Sequence, residues 1–329
     1  MGKLRAVSLF CGAGGSCLGL IGGFTYLKKR YRPTGIDIVH ASDIDEKAVK
    51  TYNANFRHKA DVADIDDLSF KRYSADIVMG GFPCKSFSTV NPTKKPEERK
   101  TQLFWQLARA IKEIYPKVFI AENVKGFYRL QQGKYFKLAK NEFEKIGYNV
   151  SHRLINASDF GVPQKRERLI MIGVRKSIKC DFIFPDPSHG NGTRSKVKLG
   201  EVIDSLEPEN GKYYFSKKAV EGVKKAKNNM KRALAQDLDD QCLTITSHLA
   251  KVSLNSRDPV LLVNRKKELY RRFTPLEAAR IQSFPDSFKF AGSEGDAYRQ
   301  IGNAVPPVMM WYQVNEIVKQ IFKKIKIKK

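Results

Sequence analysis

The sequence predicts a doubly wound, mostly parallel α/β sheet carrying a smaller, loop-rich second domain. Short apolar runs of strand length alternate with amphipathic helical stretches through the first half of the chain. The first run ends in Cys11-Gly12-Ala13-Gly14-Gly15-Ser16, a glycine-rich turn of the kind that opens a helix beneath a nucleotide. From Phe184 the character changes: Pro185, Pro187, His189, Gly190 and Gly192 mark a linker, and the residues beyond it are basic and weakly periodic. The expected division is therefore 1–184 plus 297–329 as the larger domain and 185–296 as the smaller.

Composition narrows the function class. A chain of 329 residues, 42% hydrophobic and 11% aromatic, buries a substantial core. Its five cysteines are odd in number and contain no Cys-x-x-Cys pair, so no disulfide framework and no metal site is expected. Lys and Arg outnumber Asp and Glu by 60 to 34, a net charge of +26. Such an excess points to a polyanionic partner, and nucleic acid bound through counterion release fits it best. With no run of about 18 apolar residues and no signal-like block before the first strand, the expectation is a soluble, cytoplasmic protein without a membrane partner.

Taken in order, Arg5 to Phe10 reads as a buried strand feeding the glycine-rich turn. Cys17 stands where a dinucleotide fingerprint needs a small residue, which argues against a nicotinamide cofactor. Thr25 to Thr34, basic and aromatic, reads as an insertion before the strand Ile36 to Ser42. That strand ends in Asp43-Ile44-Asp45, where an acid can grip a ribose, while Asp45 reads as the N-cap of a helix over Glu46 to Phe56. Lys59 to Val62 is a third short strand, with Asp61 at its end.

The run Ala75 to Met79 leads into Gly80-Gly81-Phe82-Pro83-Cys84-Lys85-Ser86-Phe87-Ser88. Pro83 stiffens the turn, and a basic surrounding lowers a thiol pKa, so Cys84 is a candidate nucleophile. The cationic segment Lys85 to Lys100, with Lys94 and Arg99, has the length of a binding loop or lid before the helix Leu103 to Ile114. Val118 to Ala121 is a further buried strand, ending in Glu122-Asn123-Val124. Phe10, Asp43, Asp61, Cys84 and Glu122 thus all fall at strand carboxyl ends, the edge of a doubly wound sheet where ligands bind. After a helix over Lys134 to Ile146, strands Tyr148 to Ala157 and Arg168 to Val174 flank Gln164-Lys165-Arg166-Glu167, which sets Arg166 and Arg168 on one face of an extended segment. Paired arginines suit a ligand bearing carbonyl or phosphate oxygens. An amphipathic helix over Pro275 to Ser283 and a final helix after Ile301-Gly302-Asn303-Ala304-Val305-Pro306-Pro307 close the chain.

In this order, these motifs resemble those of the DNA cytosine carbon-5 methyltransferases of bacterial restriction-modification systems. The resemblance implies an S-adenosylmethionine-dependent, Rossmann-like methyltransferase that acts on a flipped-out cytosine in double-stranded DNA. It implies Cys84 as the covalent nucleophile, Glu122 at ring nitrogen 3, Arg168 on the base carbonyl, and Arg166 orienting Glu122 or a phosphate. Phe10, Gly12, Ala13, Gly14, Gly15, Asp43, Ile44, Asp61, Val62, Pro83, Asn303 and Ala304 would form the cofactor site. Lys85, Ser86, Ser88, Lys94, Arg99, Gln164 and Thr244 would meet DNA, with 185–296 as the target-recognition domain. Lys85, Ile44 and Ala304 depart from the family's usual glutamine, aromatic residue and serine. A monomer is implied, nucleoid-associated, with a cognate restriction endonuclease acting separately if the enzyme is not an orphan.

Overall fold

A computed structural model describes residues 3–82, 102–190, 192–203, 211–222, 235–251 and 258–324. Seven strands form the central sheet: β1 (Leu4–Leu9), β2 (Ile36–Asp43), β3 (Asp61–Val62), β4 (Ile77–Gly81), β5 (Val118–Val124), β6 (Tyr148–Asn156) and β7 (Glu167–Arg175). Their spatial order is β3-β2-β1-β4-β5-β7-β6. The first five are parallel to one another, whereas β7 runs antiparallel to both β5 and β6. The order reverses at β1, so a crevice opens beyond the carboxyl ends of β1 and β4.

Alternation along each strand sorts the side chains onto two faces. Ala6, Ile77, Met79, Ile120 and Ile170 join one core with Cys17 and Leu20 of helix α1 (Gly15–Ile21) and Val49 and Tyr52 of α2 (Glu46–Asn55). Val7, Val78, Phe119 and Leu169 join the other, with Leu107 of α3 (Gln102–Ile114) and Phe143 of α5 (Lys134–Ile146). Between α3 and α5 lies the short α4 (Lys125–Arg129), absent from the sequence reading because five residues are too few to show a period.

Local signals hold where they were strongest. Asp45 caps α2, accepting from the Lys47 and Ala48 amides at 3.1 and 3.2 Å. Helix α6 (Pro275–Ile281) starts on a capping box, Thr274 with Glu277, and has proline in its first turn. The presumed insertion before β2 is a hairpin, Phe24–Tyr26 paired with Lys29–Tyr31, and its two turn residues, Leu27 and Lys28, have φ of 44° and 60°. Helices α7 (Glu294–Asn303) and α8 (Pro307–Ile317) follow, and α8 packs along α1.

Between Leu199 and Phe284 the described chain contributes Leu199, Cys242, Ile245, Leu249, Leu261, Phe273 and Ile281 to the same core as α1 and α8. A two-residue strand, Cys242–Leu243, pairs with Gln164–Lys165 just before β7. The lysine-rich stretch after Phe215 is helical over 217–222, and its continuation lies outside the described residues. No helix among the described residues is long and apolar enough to cross a membrane.

Candidate active site

Parallel strands deliver their carboxyl ends to one edge, which places Phe10, Asp43, Phe82 and Glu122 around a cleft of about 1670 Å³. Antiparallel β7 begins at that edge. Its first turn of ladder sets Arg168 opposite Val124 and Ile170 opposite Glu122, so Arg168 and Glu122 are diagonal neighbours on one face. The Arg168 Nε stands 3.0 Å from Glu122 Oε1, with 13% and 14% of the two side chains exposed. Burial pushes the Glu122 carboxyl above the usual carboxylate range, and the guanidiniums of Arg168 and Arg166 oppose it. A largely dry carboxyl held this way can offer either a proton or a negative charge to a ligand.

Two neighbours shape that carboxyl and the strand beside it. Gly81 is paired with Glu122, and a Cβ on it would lie 2.9 Å from Glu122 Oε2. Asn123, 2% exposed, donates from Nδ2 to the Phe82 carbonyl at 3.1 Å and accepts from the Val124 amide at 2.8 Å. Phe82 is further held edge-on by the Phe104 and Phe127 rings, at 5.7 and 5.4 Å between centroids. The last residue before Pro83 is thereby pinned in main chain and side chain. Pro83, Cys84, Lys85, Ser86, Ser88, Lys94 and Arg99 themselves lie outside the described residues.

Arg166 acts electrostatically on Glu122 and is also fastened to main chain. It is 1% exposed, and its terminal nitrogens donate to the carbonyls of Ile245, Gly302 and Ala304 at 2.9, 2.8 and 2.9 Å. Gln282 adds bonds to Ile301 and Ala304, both at 2.8 Å, and receives one from Gln164 at 2.6 Å. Arg166 is therefore a clamp on main chain, and Gln164, wholly buried, has no surface for a duplex to meet. Thr244 donates its hydroxyl to the Lys165 carbonyl at 2.6 Å. The Arg166 bonds are not visible in sequence, since its partners lie 79 to 138 residues away.

At the other end of the cleft, Asp43 accepts from the Gly12 amide at 2.7 Å and from the Asp45 amide at 2.9 Å. Burial raises its pKa, and these two amides counteract the rise. Phe10 has φ of 54°, a left-handed conformation that lets the chain leave β1 sharply. Gly12, Ala13 and Gly15 line the cleft, with open space where a Cβ of Gly12 would stand. Gly14 instead faces Phe56, whose ring leaves no room for a Cβ. Gly15 backs onto Val305, a Cβ there lying 2.6 Å from the Val305 carbonyl, so the turn and the chain around Asn303 and Ala304 form one wall. Ile44, 69% exposed, stands on the lip.

Asp61 and Val62 pair with Ser42 and Asp43 at the edge of the cleft. In-register pairing of Asp61 with Ser42 aims its carboxylate at the buried His40, 3.6 Å from Nδ1, and the cleft wall at that strand end is Ala63, Asp64 and Ile65. A glycine turn with free space, an acid set by two amides and an apolar lip suit an adenosine with a cationic tail, so the residues present fit S-adenosylmethionine. Among the described residues there is no group of three or more His, Cys, Asp or Glu placed to hold a metal ion.

Fold and cleft together define a doubly wound α/β protein with a nucleotide-type crevice at the carboxyl ends of its parallel strands. The profile of the C-5 cytosine-specific DNA methylases matches residues 4–323, and the chain belongs to that family. It is a DNA cytosine-5 methyltransferase, and the family uses S-adenosylmethionine. The chain is 33% identical over 311 residues to the type II methyltransferase M1.ScrFI of Lactococcus lactis subsp. cremoris, covering 92% of this chain and 75% of that one. It is 32% identical over 346 residues to M.FnuDI of Fusobacterium nucleatum, covering 99% and 97%. Among solved structures, the Schizosaccharomyces pombe Dnmt2 methyltransferase shares the fold with a TM-score of 0.75 at 19% identity, over 96% of this chain and 99% of that chain.

Proposed function

We propose that Glu122 and Arg168 are the base-holding half of the active centre and that Cys84 is its nucleophile. The observation that carries this is the buried Glu122–Arg168 pair, set beside a Phe82 that Asn123 pins two residues ahead of Cys84. Carbon 5 of cytosine is a weak nucleophile, so the Cys84 thiolate adds to carbon 6 and makes the ring enamine-like. Glu122, whose carboxyl burial pushes toward the protonated form, hydrogen-bonds ring nitrogen 3 as negative charge builds there, while Arg168 donates to the carbonyl oxygen. S-adenosylmethionine supplies an electrophilic methyl group when bound at the Gly12 end. Once carbon 5 is methylated, its proton leaves to a base and the carbon 6 to sulfur bond breaks, releasing Cys84. Phe10, Gly12, Asp43, Ile44, Asn303 and Ala304 hold the cofactor.

The target cytosine has to leave the duplex to reach so enclosed a pair. Residues 185–296 supply the sequence-reading surface and 1–184 with 297–329 the catalytic body. The enzyme works as a monomer in the cytoplasm, modifying one short duplex sequence as the methylating partner of a separate endonuclease or as an orphan. The test is incubation with tritiated S-adenosylmethionine and mixed-sequence duplex DNA, then bisulfite sequencing. Methylated cytosines in one short context are expected. Label in tRNA but not in DNA would overturn the reading.

A further inference from the structure

Arg299 lines the cleft from α7 and has no part in the reaction described above. Its Nη1 donates to Asp45 Oδ2 at 2.7 Å, and its Nη2 lies 3.4 Å from Asp296 Oδ1, one turn earlier on the same helix. Asp296 also takes Lys47 Nζ at 2.9 Å and, as the acid of the α7 capping box, the Ser293 amide and hydroxyl at 3.0 and 2.7 Å. Asp45 has both carboxylate oxygens occupied: Oδ1 caps α2 on the Lys47 and Ala48 amides, and Oδ2 receives Arg299. The Asp45 amide donates in turn to Asp43 Oδ1 at 2.9 Å, and the other Asp43 oxygen holds the Gly12 amide at 2.7 Å. One chain of bonds thus runs from α7 through Asp45 and Asp43 into the glycine turn.

That chain joins two segments which reach the cofactor end from opposite ends of the sequence: Asp43, Ile44 and Asp45 after β2, and Asn303 and Ala304 at the end of α7. Folding does not depend on the ion pair. Helices α2 and α7 are already fastened by the Thr51 hydroxyl donating to buried Gln300 at 2.6 Å, and by Gln300 donating to the Lys47 and Ala291 carbonyls at 3.3 and 3.2 Å. Asn55 exchanges two further bonds with Lys289, at 2.7 and 2.8 Å. Arg299 and Asp45 keep 40% and 29% of their side chains exposed, and an ion pair so wet adds little to stability. What it fixes is local: the Asp43–Asp45 turn is tied to the helix that carries Asn303 and Ala304.

We infer that Arg299 is a positioning residue for S-adenosylmethionine: through its ion pair with Asp45 it sets the Asp43 carboxylate and the Asn303–Ala304 segment at the spacing the cofactor requires. This rests on the reading of the cofactor site given above. The guanidinium is held between two carboxylates of the chain itself, Asp45 and Asp296, which makes it a strut within the site and not a contact to the ligand. A site fixed in advance binds more tightly because less order has to be imposed on binding.

The experiment is calorimetric titration of S-adenosylmethionine into the intact protein and into Arg299→Ala, Arg299→Lys, Asp45→Asn and the double variant Arg299→Ala with Asp45→Asn, with kcat and the KM for genomic DNA measured beside it. Asparagine caps a helix as well as aspartate does, so Asp45→Asn removes the charge and spares α2. Arg299→Ala and Asp45→Asn should each weaken cofactor binding roughly three- to five-fold, the loss of a partly exposed ion pair. The double variant should bind no worse than the weaker single one, because both remove the same interaction. Arg299→Lys should restore most of the affinity, and kcat at saturating cofactor and the DNA KM should hold. Unchanged affinity in both single variants, losses that add in the double variant, or a rise in the DNA KM in place of the cofactor effect would overturn the inference. Asp43→Ala, titrated alongside, separates the two readings. If it too leaves affinity unchanged, the cofactor site itself is misplaced; if it alone weakens binding, only the role of Arg299 falls.

Discussion

Gly81 and Glu122 face each other across β4 and β5, and the space that a Gly81 side chain would fill is where the Glu122 carboxylate sits, 2.9 Å from the absent Cβ. The glycine leaves room for an acid to lie along the sheet edge, turned toward Arg168 and not outward into water. The first prediction follows directly. Gly81→Ala should displace the carboxylate and lower kcat by about a hundred-fold, because misplacing a reacting group by about 1 Å costs that much. A steady-state assay with a thermal melt checks it: kcat retained in a folded Gly81→Ala protein would mean the glycine does not position Glu122.

Glu122 should leave a mark on the pH dependence. Its pKa is raised by burial, so the folded protein retains a proton that the unfolded chain loses near the ordinary carboxylate value of about 4.3. Stability from this group is full below that value and is lost as pH rises through the folded pKa. Glu122→Gln, neutral throughout, should flatten that decline, and methyl transfer should fall by roughly a hundred-fold or more as the protonatable partner of nitrogen 3 disappears. Denaturant titrations of both proteins at several pH values decide it. Parallel curves would count against a buried, proton-retaining Glu122.

Removing the Arg166 clamp should cost stability before chemistry. Arg166→Met leaves three main-chain carbonyls without their charged donor, a loss of about 3 kcal/mol or more. It should also weaken cofactor binding, since Asn303 and Ala304 hang from the same clamp. Urea unfolding and calorimetric titration with S-adenosylmethionine test both parts; a stability change under about 1 kcal/mol would rule the clamp out.

Asp43 shapes the glycine turn as well as the ligand site. Asp43→Ala removes the acceptor for the Gly12 and Asp45 amides and should weaken S-adenosylmethionine binding by at least about ten-fold. Because burial raises the Asp43 pKa, affinity should rise with pH as the carboxyl ionises. Binding that is indifferent to both the substitution and pH would place the cofactor elsewhere.

Cys84→Ala should abolish methyl transfer while duplex binding persists, read by filter binding of labelled DNA beside the tritium assay. Residual methylation in the alanine variant would exclude a covalent route.

The acids ending β2 and β5, the glycine turn and the capped helix at Asp45 were legible in the sequence because each is written in contiguous residues. A period of two, a glycine where φ is positive and an N-cap are local rules, and a doubly wound sheet collects such local ends at one edge. The charge of +26 told of a polyanionic partner before any shape was known. Only the tertiary structure decided what Arg166, Gln164 and Asp61 face. Arg166 and Gln164 are polar residues beside a substrate motif, yet both are buried and bonded to chain from about 80 to 140 residues away, a choice made by packing of the returning C-terminal segment and not by spacing. Asp61 turns to His40 because its register against β2 is set by the sheet. The diagonal meeting of Glu122 and Arg168 likewise exists only because β7 runs antiparallel to β5, a direction that no local pattern encodes.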